Sequence, residues 1–214
     1  IIPLVTPAEA GAVSDSLQYE IPTGHAKEFG KLLVQDPQGR VKPLNTMSSE
    51  ILRKVSRKLS IDGQNSDQVL LGMMADPFTW QNTPMIKISH DGISELLGIN
   101  GKHASFLDFI DEDMQGGYRI IEPVMQAHQQ KSSSRSKFET EILRVDERVN
   151  ICFMVYSGEF LRVLPDVNDP DHTWHSPASI ANVYTGEDSL FAVNIINLYV
   201  QAVREGMVTG DWNS

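Results

Sequence analysis

The densest group of ligand-type side chains in the chain is Asp166-Val-Asn-Asp169-Pro-Asp171-His172-Thr-Trp174-His175. Imidazole nitrogen and carboxylate oxygen are transition-metal donors, and His172 and His175 would converge if this stretch made one helical turn. The spacing matches neither the H-E-x-x-H helix nor the calcium loop, whose central Gly and distal Glu are missing. Two readings stand: a metal or haem contact through His172 and His175, and an acidic turn whose Asp side chains cap their own backbone. The pattern favours the turn.

A second candidate is cationic. Arg40 and Lys42 lie two apart, so on a strand they project to one face. They precede a helix start at which Asn45 or Thr46 can cap, so free helical N–H groups lie beside them. Arg40, Lys42, Asn45 and Thr46 are therefore candidates for holding an anion or a partner, against the alternative of a solvated edge whose charges discourage pairing. A third candidate is apolar. Met73-Met74 and the aromatic loop Phe78 to Trp80, with Trp174 further on, would suit an unfolded client, although core packing explains the same residues.

Catalytic signatures are missing. There is no G-x-S-x-G, no Walker loop and no G-x-G-x-x-G, and Gly98-Ile-Asn-Gly101 suits a helix end better than a phosphate cradle. Glu95, Asp108 and Glu122 are isolated carboxylates. The single cysteine, Cys152, stands among apolar residues, which excludes an internal disulfide, a C-x-x-C thiol pair and a c-type haem attachment sequence. The chain reads as a non-enzyme.

The elements that must position these residues follow from periodicity. Leu32 to Val34 and Arg40 to Lys42 flank Asp36-Pro37-Gln38-Gly39 and predict a small hairpin, feeding a helix through Ile51, Leu52, Val55 and Leu59. A loop over Ile61 to Asn65 precedes a helix capped by Ser66, which Asp76-Pro77 stops. Met85 to Ile88 predicts a strand, Ile93 to Leu97 a helix ending at Gly98, and Ser105 with Asp108 caps a helix over Phe106 to Asp113. Another helix is expected from Tyr118 to His128. Ser136-x-x-Glu139 opens the clearest one, with Phe138, Ile142, Val145, Val149, Cys152, Phe153 and Tyr156 inward and Glu139, Arg144, Glu147 and Arg148 opposite. Phe160 to Leu164 predicts a strand, and a last helix runs from near Thr185 or Gly186 to Arg204-Glu205-Gly206. The fold class is α+β and mainly helical, with a few short strands including the N-terminal hairpin.

Residues 1–24 read as an extended lead-in, with Leu17 to Ile21 as a strand. Residues 25–214 read as one mainly helical globular domain, the exposed link at 129–135 leaving open a division into two subdomains. At 214 residues and 41% hydrophobic, the chain is long enough to bury a core. Its net charge of −10 argues against nucleic acid or an anionic membrane surface as partner and fits a basic one. No run reaches the roughly 20 apolar residues of a membrane span. The start without Met and the break at Gly210 to Ser214 suggest an excised piece of a longer protein.

Gln35-Asp36-x-x-Gly39-Arg40-Val41-Lys42-Pro43-Leu44-Asn45-Thr46, with Ser49-Glu50-x-Leu52-Arg53-Lys54, resembles the extracytoplasmic part of the large cytochrome c biogenesis proteins of Bacteroidetes-type bacteria. These are system II haem-export and ligation proteins with fused ResB-like and CcsA-like portions. Asp67 to Leu71, Phe160 to Pro165 and Trp174-x-Ser176-Pro177 are similar too, so the resemblance covers most of Phe29 to Asp211. It implies a non-catalytic domain on the periplasmic face of the bacterial inner membrane, scaffolding haem delivery or positioning apocytochrome c. Membrane-embedded portions of the same parent would be its partners. Haem is expected in the parent and no cofactor in this domain, because the family's haem-handling histidines and Trp-rich segment are missing and Trp80, Trp174 and Trp212 are scattered. The alternative is a generic periplasmic ligand-binding or scaffold domain unrelated to haem.

Overall fold

Helix ends show how the local chemistry plays out in the computed structural model, which describes residues 19–111, 117–166, 168–179 and 187–212, with backbone alone over 187–193. The elements are α1 (Thr23–Phe29), β1 (Leu33–Gln35), β2 (Val41–Pro43), α2 (Leu44–Ser56), β3 (Ser60–Ile61), β4 (Gln64–Asn65), α3 (Ser66–Ala75), α4 (Pro77–Asn82) and β5 (Ile86–Lys87). Then come α5 (Asp91–Leu97), β6 (His103–Ala104), β7 (Ile110–Asp111), β8 (Gly117–Tyr118), α6 (Ile121–Gln129), α7 (Lys137–Tyr156), β9 (Leu164–Pro165), β10 (Trp174–His175) and α8 (Glu187–Thr209). The described strands pair two by two, all antiparallel, so the fold is α+β and mainly helical as expected.

The expected hairpin is β1–β2, with Val34 opposite Lys42. The predicted caps at Asn45 or Thr46 do not form. Pro43 is the cap residue of α2, and the N–H groups of Leu44 and Asn45 donate instead to the Leu32 and Gly30 carbonyls at 2.7 and 2.9 Å. Preceding backbone supplies the acceptors, so no side chain is needed. The expected loop at 61–65 is the tight hairpin β3–β4, whose Asp62 and Gly63 both take positive φ, as a two-residue turn of matching twist requires. Asn65, not Ser66, then caps α3, in a reciprocal box with Gln68.

The aromatic loop expected at Phe78 to Thr83 is the helix α4, because Asp76 accepts from the Thr79 N–H at 3.2 Å and Pro77 occupies the first helical position. Met73, Met74 and Trp80 are buried in the core, leaving Phe78 outside. Ser105 and Asp108 do bond reciprocally. The helix expected over Phe106 to Asp113 nevertheless stops after a 3-10 turn at Leu107–Phe109, because Phe109 is fully buried and Ile110 pairs with Tyr118. The segment expected as a strand at Phe160 to Leu164 buries Phe160 and Leu161 as irregular backbone and pairs only from Leu164. Tyr19 to Ile21 are not strand, and Leu17 lies outside the described residues, as do Thr185 and Gly186.

Helix α3, buried from Gln68 through Ala75, lies at the centre against α1, α2, α4, α7 and α8. The expected capping box of α7 forms, and Ile142, Val145, Val149, Cys152 and Tyr156 are inside. Arg148, expected on the wet face, is also inside, 2% exposed. Its Nη1 donates to Glu141 Oε1 at 2.9 Å and to the Lys87 carbonyl, strapping α7 to β5. Phe153, expected inside, is exposed. Helix α8 passes the expected stop at Gly206, where a Cβ would meet the Trp212 ring at 2.9 Å. Tyr199 on α8 stacks on Phe29 and His25 of α1, Trp212 tilts against His25, and the Tyr19 N–H donates to the Met207 carbonyl at 3.0 Å. Among the described residues no helix is long and apolar enough to cross a membrane.

Two stability outcomes follow. A Cβ at Gly72 would run into the Trp80 indole nitrogen, whereas one at Gly24 meets nothing within 4 Å. Gly72→Ala is expected to cost about 1–3 kcal/mol in urea titrations, with Gly24→Ala unharmed; equal midpoints for the two would contradict the contact. Glu141→Leu strands the buried Arg148 charge and is expected to cost about 3–5 kcal/mol, most of it recovered in the double variant with Arg148→Met.

Candidate functional site at the hairpin corner

The predicted corner is organised by a residue between its cations. Asp36 opens the β1–β2 turn with its side chain 2% exposed. Its Oδ1 accepts from the Gln38 and Arg40 N–H groups at 2.9 and 3.0 Å, and its Oδ2 from Arg40 Nε at 2.9 Å, with Lys42 Nζ at 3.1 Å. Burial alone would raise the Asp36 pKa. The Arg40 N–H and guanidinium, the Lys42 ammonium and the Gln38 N–H outweigh it and hold the carboxyl well below its ordinary 3.8. Lys42 also meets Glu50 Oε2, in the second turn of α2, at 2.6 Å. Desolvation works to lower the Lys42 pKa, but Glu50 and Asp36 prevail and raise it. Arg40 and Lys42 thus share one carboxylate. Asn45 and Thr46 sit in the first turn of α2, where Thr46 Oγ1 donates to Asn45 Oδ1 at 3.2 Å.

Gln35, next to Asp36 and likewise buried, carries the corner to the far end of the sequence. Its N–H donates to the Arg162 carbonyl at 3.0 Å, its Nε2 donates to the His172 carbonyl at 3.0 Å and its Oε1 accepts from the Trp174 N–H at 2.8 Å. The hairpin and the acidic loop are therefore neighbours, held by one amide. The helical turn that would converge His172 and His175 does not form. His172 is exposed at φ 52°, while His175 lies on β10 opposite Leu164 with its Nε2 3.7 Å from Asp166 Oδ2. The acidic-turn reading describes the loop well: Asp166 Oδ1 accepts from the Asn168 N–H, and Asp169 accepts from those of Asp171 and Thr173. Among the described residues no group of three or more His, Cys, Asp or Glu is placed to hold a metal. Trp174 is half-buried and joins the corner through its backbone N–H, whereas Trp80 is buried in the core.

Behind the turn lies a cleft of about 200 Å³. Met47 and Ile51 of α2, Ile151 and Met154 of α7, and Phe160 supply its apolar surface, and Asp36, Arg40, Lys42, Glu50 and Arg162 its charged rim. Nothing in the residue pattern marks Gln35, Glu50 or Arg162 as site residues. Asp36 does carry a signal, since Asp before Pro-x-Gly commonly bonds its own turn, but the burial and the two cations on it are tertiary facts.

Over 165 residues the chain is 39% identical to Protein NrfI of Wolinella succinogenes; the match takes in 77% of this chain and 18% of that protein. The chain thus spans a small fraction of its relative's length. No family model matches it.

A depressed carboxyl contributes stability that is present above its unfolded pKa and lost as pH falls toward the folded value. The chain is accordingly expected to lose urea resistance progressively below about pH 4. Asp36→Asn, weaker than the parent at pH 7, should see that gap narrow steadily as pH falls below about 4; a gap that stays constant with pH would rule out the carboxylate as its source.

Proposed function

We propose that this chain is a non-catalytic, extracytoplasmic domain of a membrane-bound cytochrome c maturation protein. Two observations carry the reading: the likeness to Protein NrfI across most of the chain, and the resemblance of the 35–54 stretch to system II cytochrome c biogenesis proteins. In this reading the domain stands on the periplasmic face of the inner membrane, against membrane-embedded portions of its own parent, and positions apocytochrome c. A net charge of −10 suits a basic client. The corner residues act as a scaffold: Arg40 and Lys42 are occupied with Asp36 and Glu50, which orients the hairpin without leaving a nucleophile or a general base. Haem belongs elsewhere in the parent. The cleft, at about 200 Å³, suits a group nearer phenyl than porphyrin in size, and no His or Cys lines it.

A generic periplasmic ligand-binding domain is the second reading, and the cleft is what favours it. The two separate in the cell. Deleting residues 19–212 from the intact gene is expected to abolish covalent haem attachment while apocytochrome and the rest of the parent are still made, read on haem-stained gels beside immunoblots. Undiminished haem attachment would leave the second reading in its place.

A further inference from the structure

The geometry points to the cleft behind the 36–39 turn as a binding site for a carboxylate borne on an apolar group of isobutyl to phenyl size. Size is the first argument. A cavity of about 150 Å³ lined by aliphatic side chains suffices for benzene, and this one measures about 200 Å³ with Met47, Ile51, Ile151, Met154 and Phe160 around it. An aromatic ring or a branched alkyl chain fills it.

Charge is the second. Three cations and two carboxylates line the cleft, leaving one positive charge over in a chain that is strongly acidic as a whole. The distribution within the rim says which cation is spare. Asp36 is saturated by four donors, Arg40 is spent on it, and Lys42 bridges it to Glu50. Half-buried Arg162 carries a guanidinium with no ion pair and no side-chain hydrogen bond to another described residue. Its planar fork matches a carboxylate bidentately. A neutral apolar ligand would cover this guanidinium without replacing its water, and a cationic one would be repelled by it. A monocarboxylate with an apolar body answers both halves of the lining.

Such a group has two sources, a free small acid and the C-terminal residue of a polypeptide, and the choice of probes distinguishes them. The 214-residue chain is titrated with N-acetylphenylalanine, its carboxamide and 3-phenylpropionate, following the amides of Gln38 and Arg40 and the methyl of Met154 by NMR. Saturable shifts are expected with both acids, and binding of the carboxamide weaker by at least about tenfold, since one charge-assisted pair is lost. Tighter binding of N-acetylphenylalanine assigns the site to a chain terminus; tighter binding of 3-phenylpropionate assigns it to a free acid. Arg162→Gln should bring the acids down to the affinity of the carboxamide while leaving the remaining amide spectrum in place, and Met154→Trp, which fills the cleft, should abolish binding of all three. Equal affinity for acid and carboxamide, unchanged affinity in Arg162→Gln, or shifts that never saturate would each overturn the assignment. The first comparison needs no variant, so the outcome does not depend on one folding.

Discussion

Two adjacent polar side chains almost closed to water, Gln35 and Asp36, set the terms for the whole corner. A buried amide and a buried carboxylate are costly unless their donors and acceptors are met, and here they are met by backbone from two separate stretches, the 38–40 turn and the 172–174 loop. Those bonds hold only in one register of β1 against β2. A slip of one residue would turn Val34 outward and carry Gln35 off the 160s backbone, so the polar pair specifies the pairing as firmly as the apolar face does. The entry into α2, the path of Arg162 and the closure of the acidic loop follow from that register.

The same corner shows what the sequence can and cannot disclose. Turn chemistry is local, so Asp36-Pro37-Gln38-Gly39 announces the hairpin and Ser136 with Glu139 announces α7. Capping errors stay within one residue where two polar side chains compete, as with Asn65 and Ser66. They grow where backbone does the capping, as at Leu44 and Asn45, because an acceptor from Leu32 or Gly30 leaves no mark on the capped residues. Phe78 to Thr83 looks like loop because aromatics and Thr are weak helix formers. The Asp76 cap and the burial of Trp80 override that preference.

Long-range polar contacts are the least legible. Arg148 has the helical phase of neither a clean inward nor a clean outward position. What decides it is the Lys87 carbonyl, 61 residues away. Gln35 reaches 137 and 139 residues along the chain to His172 and Trp174. Arg40 and Lys42 can be read as a pair from their spacing, but whether they are offered to a partner or tied down depends on Glu50 and on how deeply Asp36 is buried. The cleft is harder still, since α2 gives one of its walls and α7 with Phe160 the other.

The aromatic clasp of Tyr199, His25 and Trp212 has a topological consequence. Together with the bond from Tyr19 to Met207, it brings Tyr19, just before α1, and Trp212, just after α8, to the same side of that helix pair. The two ends of the described structure therefore lie close together, like the two leads of a plug. A domain with such leads can sit within a longer polypeptide without parting the host's own neighbouring segments. Pulling on the two leads would load the clasp first, ahead of the central helix α3.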